Sequence, residues 1–323
     1  MKNRVIVWRI TQDCKMKCRF CSYSHEVNRQ RDNADEAEIS RLIKILIEYR
    51  KTSGDNILIS WIGGEPFLWM NIIKYSKQLA DNGIGVSTTT NGLLLLKDEI
   101  RKDICRYFDE IVFSIDGFAE CNDDVRQFPG HFKIVSENIK AIDLLRKSTK
   151  SSLKLKVNTI LMQRNIEGFE NFCEYLLTLG VDELTFNQLG GYDRPEFFEA
   201  NRLLTAQVED FIAKLTNIKR KFAERGFIIH GSKRYTDRIL MTTRNEKNPI
   251  DECDPAAWFW FINENGLISP CSYTSYEYKF NTKNIRTTAD IDQVETYFRE
   301  QRVLNRSKWC DDCYCTQVYD KFQ

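Results

Sequence analysis

Two kinds of apolar run alternate between Arg4 and about Leu189. Short β-branched runs at 4–10 (RVIVWRI), 57–63 (ILISWIG), 85–90 (GVSTTT), 110–116 (EIVFSID), 153–162 (LKLKVNTILM) and 183–189 (ELTFNQL) predict strands. Longer runs between them, such as 37–50, 67–83 and 132–147, place apolar residues at i, i+3, i+4 and i+7 and predict helices. Asn82-Gly83 and Leu179-Gly180 supply glycine stops of the kind found at helix C-termini. Six such units require parallel strands joined by right-handed crossovers. A doubly wound sheet or a barrel, complete or partial, satisfies that pattern. In either, functional groups gather at the C-terminal ends of the strands.

After Gly190-Gly191 the pattern changes. Helical periodicity runs through about 201–225 and is followed by FIIH at 227–230. The polar segment 243–256 holds two of the six prolines and reads as a boundary loop. Residues 258–271, WFWFINENGLISPC, read as two short strands around an Asn-Glu-Asn-Gly turn. The expected organisation is a barrel domain at 1–200, a helical linker or insert at 201–245, and a small C-terminal domain at 246–323.

Cysteines carry the chemistry. Cys14, Cys18 and Cys21 form CKMKCRFC just after the first strand. Three thiolates at this spacing ligate three corners of a four-iron cluster and leave one iron open for chemistry. A structural zinc with His25 as fourth ligand, or a disulfide, are the competing readings of the same spacing. Five more cysteines fall near the C-terminus: Cys253, Cys271, Cys310, Cys313 and Cys315. The first four close a second metal site, either a fully ligated cluster or a four-cysteine zinc, with Cys315 as a fifth candidate. Cys105, Cys121 and Cys173 sit in or beside helical patterns and read as small buried hydrophobes. His131 and His230 have no obvious carboxylate or cysteine constellation in the sequence.

The strand ends are rich in small and polar residues. They carry Gly63-Gly64-Glu65-Pro66, Thr88-Thr89-Thr90-Asn91-Gly92, Ser114-Ile115-Asp116-Gly117, Asn158-Thr159 and Asn187-Gln188. Ordinary turn chemistry uses the same residue types.

Composition narrows the class. The chain has 323 residues, 42% hydrophobic and 29% charged, which suits a globular fold with a large core. Its formal net charge of +1 gives no electrostatic case for nucleic acid or an anionic membrane. No signal-peptide pattern opens it, and no apolar run reaches about 18 residues. A cytoplasmic protein is expected. There, eleven cysteines argue for metal ligation over a disulfide framework.

CKMKCRFC resembles the signature of radical S-adenosylmethionine (SAM) enzymes, in which the residue before the third cysteine is usually aromatic, as Phe20 is. GGEP, TTTNG and SIDG follow successive strands as they do in that superfamily. The resemblance implies an α/β fold: a partial (βα)6 TIM-like barrel. The C-terminal cysteines resemble the SPASM/twitch branch in its shorter form, with one auxiliary [4Fe-4S] cluster. The layout is similar to that of the dehydrogenases acting on 2-deoxy-scyllo-inosamine in aminocyclitol antibiotic biosynthesis.

The resemblance implies a [4Fe-4S] cluster on Cys14, Cys18 and Cys21, with SAM on its open iron. A one-electron donor such as flavodoxin or ferredoxin reduces the cluster, and SAM is cleaved to a 5′-deoxyadenosyl radical that takes a substrate hydrogen. Phe20 belongs to the cofactor-binding set. Gly63, Gly64 and Glu65 belong beside the SAM amino group. Ser114 and Asp116 suit ribose hydroxyls, and Arg126 the SAM carboxylate. Asn158 and Leu189 fall near ribose and adenine. Where the family often has His-Asp before this arginine, the chain has Asn122-Asp123. The expected reaction is oxidation of a small polyol or amino-sugar. Peptide maturation or epimerisation is the alternative, with Cys121 or Cys315 as thiol hydrogen donor; a non-catalytic electron carrier is the alternative of another class. A signature starting at residue 14 leaves no expected N-terminal peptide-recognition domain, which favours a small molecule, or a peptide held by the barrel and the 190–250 region.

Overall fold

The computed structural model describes residues 1–191, 194–250, 253 and 258–314. Its residues gather into two compact units. The first takes Met1–Asp13, Gln30–Thr89 and the described residues of 248–314; the second takes Cys14–Arg29 and the described residues of 90–247.

In the first unit, strand β1 (Asn3–Thr11) is followed by helix α1 (Glu36–Ser53), β2 (Asn56–Gly63), α2 (Ile72–Ala80) and β3 (Gly85–Thr90). The C-terminal part adds β8 (Phe259–Ile262), β9 (Leu267–Ser269), β10 (Phe280–Asn281) and α10 (Ala289–Leu304). Strand order is β10-β9-β8-β1-β2-β3. The 258–271 hairpin forms as expected, with β8 and β9 antiparallel. The sequence did not reveal that β8 also pairs in parallel with β1, Val5 opposite Phe259. With β2 on its other side, β1 lies between two parallel neighbours. That explains its nearly unbroken apolar run: both faces are covered. Val7 packs on Phe259 and Phe261. Arg4 instead reaches Tyr49 of α1 at 3.0 Å and Asp292 of α10 at 2.9 Å.

Helix α1 starts where Asp35 accepts from the Ala37 N–H at 2.8 Å. The periodic run 67–83 yields a shorter helix than its pattern predicts. Residues Pro66–Leu68 form a separate 3-10 turn, capped by Glu65, before α2 begins at Ile72.

In the second unit the helices are α3 (Asp98–Tyr107), α4 (Ala119–Arg126), α5 (His131–Thr149), α6 (Phe169–Thr178), α7 (Pro195–Asn201), α8 (Thr205–Ala223) and α9 (Lys233–Thr243). The strands are β4 (Glu110–Ser114), β5 (Lys154–Leu161), β6 (Glu183–Gln188) and β7 (Ile228–Ile229), all parallel in the order β4-β5-β6-β7. The 201–245 region is helical as expected, and its FIIH run adds the short strand β7 beside β6. The class is the expected one, a mixed α/β fold with parallel strands of the partial TIM-like type.

Arg146 near the end of α5 ties this unit together. It donates to Asp143 at 3.0 Å, to Asp182 at 2.5 and 3.1 Å, and to the carbonyls of Leu153 and Gly180, each at 2.7 Å. A side chain at Gly180 would meet the Asp143 carboxyl carbon at 2.2 Å, so the turn before β6 closes only around glycine.

Arg146→Ala leaves Asp143 to Lys147 alone and takes the cation from Asp182, and with the hydrogen bonds it removes should cost about 2 kcal/mol or more of stability. Lys133→Ala, at an exposed 4.0 Å pair with Glu137, should change stability by less than about 1 kcal/mol. Urea unfolding of both variants checks the contrast; equal midpoints would remove the hub role.

Candidate functional site

The cysteine loop follows β1 directly. Its turns are set by backbone bonds: Cys21 N–H to Cys18 O at 3.2 Å, Ser24 N–H to Cys21 O at 3.1 Å, and His25 N–H to Met16 O at 2.9 Å. Arg19 N–H reaches Val125 O of α4 at 2.9 Å. Burial pushes the Cys18 thiol up to about 12; Arg126 opposes the shift, while Cys21 and Cys14 add to it. The three thiols are therefore within electrostatic reach of one another, and burial disfavours a bare thiolate at Cys18. His25 is exposed. Among the described residues no three His, Cys, Asp or Glu side chains are gathered tightly enough for one metal ion.

Behind Cys18 lies a buried ion pair. Arg126 ends α4 with 5% of its surface exposed, and Asp116 follows β4 with none. Nη2 of Arg126 stands 2.7 Å from Oδ2 of Asp116. The contact is an ion pair without hydrogen-bond alignment: neither that Oδ2 nor the buried Nε of Arg126 has a hydrogen-bond partner among the described residues. Burial works against charge on Arg126, yet Asp116 and Cys18 outweigh it and the guanidinium holds its proton more tightly. The other carboxylate oxygen of Asp116 accepts from the Ile160 N–H at 2.8 Å. A buried guanidinium with donor capacity left over fits the carboxylate of an amino-acid ligand such as SAM.

Phe20 lies 5.7 Å below the Arg126 guanidinium. It packs with Cys121 and Ile160 on a buried cluster of Val125, Met162, Leu189 and Phe197. Three predicted residues, Phe20, Cys121 and Leu189, thus share one apolar wall. Burial pushes the Cys121 thiol up to about 11, with Arg164 opposing, so it stays protonated. Ser114 of β4 stands opposite Asn158 of β5 in register. Oδ1 of Asn158 accepts from Thr185 Oγ1 and Asn187 Nδ2, each at 2.9 Å, making a polar row across β5 and β6. Cys105 and Cys173 are buried as expected.

His131 and His230 make structural contacts, one of them to a carboxylate. His230 pairs with Glu183 at 2.9 Å, and Lys154 and Lys156 reach the same carboxylate at 2.9 and 3.0 Å. Its carboxylate partner lies 47 positions away in sequence, so no spacing rule reveals it. His131, at the first position of α5, is fully buried. Its Nδ1 meets Asn122 Nδ2 at 2.9 Å and its Nε2 meets the Asn91 carbonyl at 2.9 Å. The Asn122 amide is oriented by Asp116 N–H, which donates to its Oδ1 at 3.1 Å. Asn122 therefore donates to Nδ1, and His131 carries its proton on Nε2. The Asn122-Asp123 dipeptide has its own work: Asp123 accepts from the Gly130 and Phe132 N–H groups at 2.7 and 2.8 Å and fixes the start of α5.

In the first unit, the GGEP turn lies against the end of β1. A Cβ on Gly63 would stand 2.3 Å from the Thr11 carbonyl oxygen, and one on Gly64 2.2 Å from that of Asp13. Close backbone approach alone thus demands both glycines. Glu65 is buried, its N–H donates to Asp13 O at 2.7 Å, and its carboxylate accepts from Phe67 N–H at 3.1 Å.

The same unit holds the second cysteine group. Burial pushes the Cys253 thiol up to about 12; Arg302 opposes the shift, while Cys271, Cys313 and Cys310 add to it. The four thiols named from the sequence are therefore neighbours. Ile250 N–H to Cys310 O and Cys313 N–H to Asn248 O, each at 2.8 Å, tie the two cysteine segments together. Cys271 and Cys313 pack against Val7, Phe259 and Phe261. Cys315 lies outside the described residues. Next to this group, buried Glu264 accepts from Arg9 Nε and Gln12 Nε2, each at 2.5 Å, and from Tyr276 Oη at 3.0 Å. The sequence reading missed this network.

His131 gives a pH test. Burial lowers it from 6.5 to about 3, with Arg126 acting in the same direction and the Asn91 carbonyl and Asp123 against it. A depressed histidine is neutral in the fold while the unfolded chain protonates below about 6.5, so stability is lost as pH falls toward 3. The slope from this residue is about 1.4 kcal/mol per pH unit. His131→Gln should flatten the fall between pH 6.5 and 5 by about that amount. Urea midpoints of both proteins across that range measure it; parallel curves would contradict a neutral buried His131.

The sequence profile described as "Radical SAM superfamily" matches residues 8–176, about half of the chain. The AdoMet-dependent heme synthase of Methanosarcina barkeri is 29% identical over 290 residues, spanning 84% of this chain and 77% of that protein. Among solved structures, Streptococcus suis SuiB bound to the precursor peptide SuiA aligns with TM-score 0.66 and 16% identity, over 100% of this chain and 72% of that one. The anSMEcpe structure with bound AdoMet aligns with TM-score 0.64 and 14% identity, over 99% and 91%. Those two likenesses concern the fold. With the profile match and the cysteine loop it spans, the chain belongs to the Radical SAM superfamily.

Proposed function

We propose that this enzyme holds a [4Fe-4S] cluster on Cys14, Cys18 and Cys21, cleaves SAM reductively there, and removes a hydrogen atom from a bound substrate. The observation that carries this reading is the buried Arg126, which stands beside Cys18 and has an Nε donor without a partner among the described residues. The cluster and SAM together supply hydrogen-atom abstraction from an unactivated C–H bond. The protein's own work is positioning and water exclusion. Arg126 receives the SAM carboxylate. Asp116, whose Oδ1 is held by Ile160 N–H, keeps Arg126 in place. Gly63, Gly64 and Glu65 serve the SAM amino group. Ser114 and Asn158 serve the ribose, and Phe20 with Leu189 walls the adenine. A flavodoxin- or ferredoxin-like donor supplies the electron.

Cys253, Cys271, Cys310 and Cys313 hold an auxiliary [4Fe-4S] cluster in this reading. These four thiols would hold a fully ligated cluster, which would supply an acceptor for the second electron of a substrate oxidation. Net two-electron oxidation of a small polyol or amino-sugar follows. Peptide modification is an equal second reading, favoured by the fold likeness to SuiB bound to its precursor peptide. Epimerisation within that reading needs a thiol that returns a hydrogen atom, and Cys121 is protonated. Cys315 is the other candidate. Membership of the superfamily weighs against a simple electron carrier.

Anaerobic reconstitution with iron, sulfide, reductant and SAM tests the core reading. Replacing Cys14, Cys18 and Cys21 together with Ala should abolish 5′-deoxyadenosine formation while leaving about four irons per chain at the second site. Undiminished SAM cleavage would refute the first assignment, and zinc without iron in the triple variant the second. The reaction type is read from product mass in deuterated water. Oxidation removes two hydrogens. A product of unchanged oxidation state carrying one solvent deuteron, lost on Cys121→Ala or Cys315→Ala, selects epimerisation instead.

A further inference from the structure

The TTTNG turn after β3 is held from below by α5. His131 Nε2 donates to the Asn91 carbonyl at 2.9 Å, and Asn138 Nδ2 donates to the Gly92 carbonyl at 2.8 Å. Arg101 secures Asn138 with a bond of 2.8 Å to its Oδ1. The Asn91 side-chain oxygen accepts from the Leu93 N–H at 3.0 Å, which orients the amide and turns its nitrogen the other way. That nitrogen lies 4.0 Å from the sulfur of Cys14. Gly92 completes the turn at φ +79°, with Val135 and Phe113 atoms 3.2–3.3 Å from where a Cβ would sit. The backbone is thus fixed on the side away from the cysteine, and the amide N–H is fixed on the side toward it.

We propose that Asn91 is a positioning residue for the first cluster: its amide donates to the Cys14 sulfur, and the buried Asn122–His131 pair holds that amide in place. The proposal rests on the reading of Cys14, Cys18 and Cys21 as cluster ligands. Reduction adds a negative charge to a cluster that shares it with its thiolate sulfurs. An N–H dipole aimed at one sulfur stabilises the reduced form more than the oxidised one and so raises the reduction potential. The donor must not drift, because a hydrogen bond to sulfur weakens steeply with angle. A continuous buried chain prevents drift. Asp116 N–H holds the Asn122 amide, Asn122 holds Nδ1 of His131, and Nε2–H holds the Asn91 carbonyl. The same Asp116 pairs with Arg126. The ligand-facing arginine and the sulfur-facing amide therefore hang from one residue.

The full-length protein is reconstituted anaerobically, iron is counted, and the EPR signal that shifts on adding SAM is taken as the first cluster. Its midpoint potential is titrated in the absence of SAM. Asn91→Ala, with iron content intact, should make the cluster harder to reduce by about tenfold, which is 59 mV for one electron. His131→Phe should act in the same direction, and His131→Gln, which keeps an amide N–H for the Asn91 carbonyl, should stay within about twofold of wild type. An unchanged potential in Asn91→Ala overturns the proposal and leaves the cluster assignment standing. If Asn91→Ala loses its iron, the two His131 variants decide, and equal potentials in them overturn it. A wild-type protein without a SAM-sensitive iron signal overturns both the cluster reading and this one.

Discussion

A guanidinium buried beside thiols is the constraint around which the second unit is organised. Arg126 cannot lie in an apolar wall of Val125, Leu189 and Phe197 as a bare cation, because the desolvation of an unpaired charge is prohibitive. Asp116 answers that need, and almost everything nearby answers Asp116. Its backbone N–H orients Asn122, and its carboxylate is held by the backbone of β5 at Ile160. Among the described residues the pair leaves a donor of Arg126 and an oxygen of Asp116 without hydrogen-bond partners. The buried Arg4, paired with Asp55, keeps an unpartnered Nη1 as well. What sets Arg126 apart is its place beside the thiols of the cysteine loop.

Much of this was legible in the sequence, and what was not has physical reasons. The six main strands came through because parallel strands concentrate β-branched residues. Helix α4, which carries Arg126, did not, since AECNDDVR offers Val125 and little else as an apolar position. Strand β7 is two residues long and has no period to detect. The parallel pairing of β8 with β1 joins residues more than 250 positions apart, and local patterns carry no information about it. The Arg9–Glu264–Tyr276 network is invisible for the same reason.

The glycines of GGEP show how a motif can have a second cause. The family resemblance sets them beside the SAM amino group. The structure shows that Thr11 and Asp13 oxygens already occupy the space a Cβ would take. The turn packs against the segment that leads into the cysteine loop, so any side chain there would push that segment away. His131 is the converse case. Nothing in its sequence context marked it, yet three-dimensional contact makes it the neutral middle of a buried chain ending at Cys14.

Both cysteine groups use one electrostatic device with a different balance. In each, burial raises a thiol to about 12 and an arginine is the leading influence against it: Arg126 for Cys18, Arg302 for Cys253. Metal-free thiols in such surroundings hold their protons more tightly, so thiolate charge would come with a bound metal. The nearby cation would then offset the negative charge of a sulfur-ligated cluster. At the first site that cation is shared with Asp116, which reduces the net offset and keeps the guanidinium oriented. At the second, Arg306 joins Arg302 in lowering the Cys310 thiol, while burial and Cys271 act the other way. In the reading proposed above, the first site binds a further charged ligand and has a cation oriented by Asp116, while the second only stores electrons and has two arginines beside its thiols.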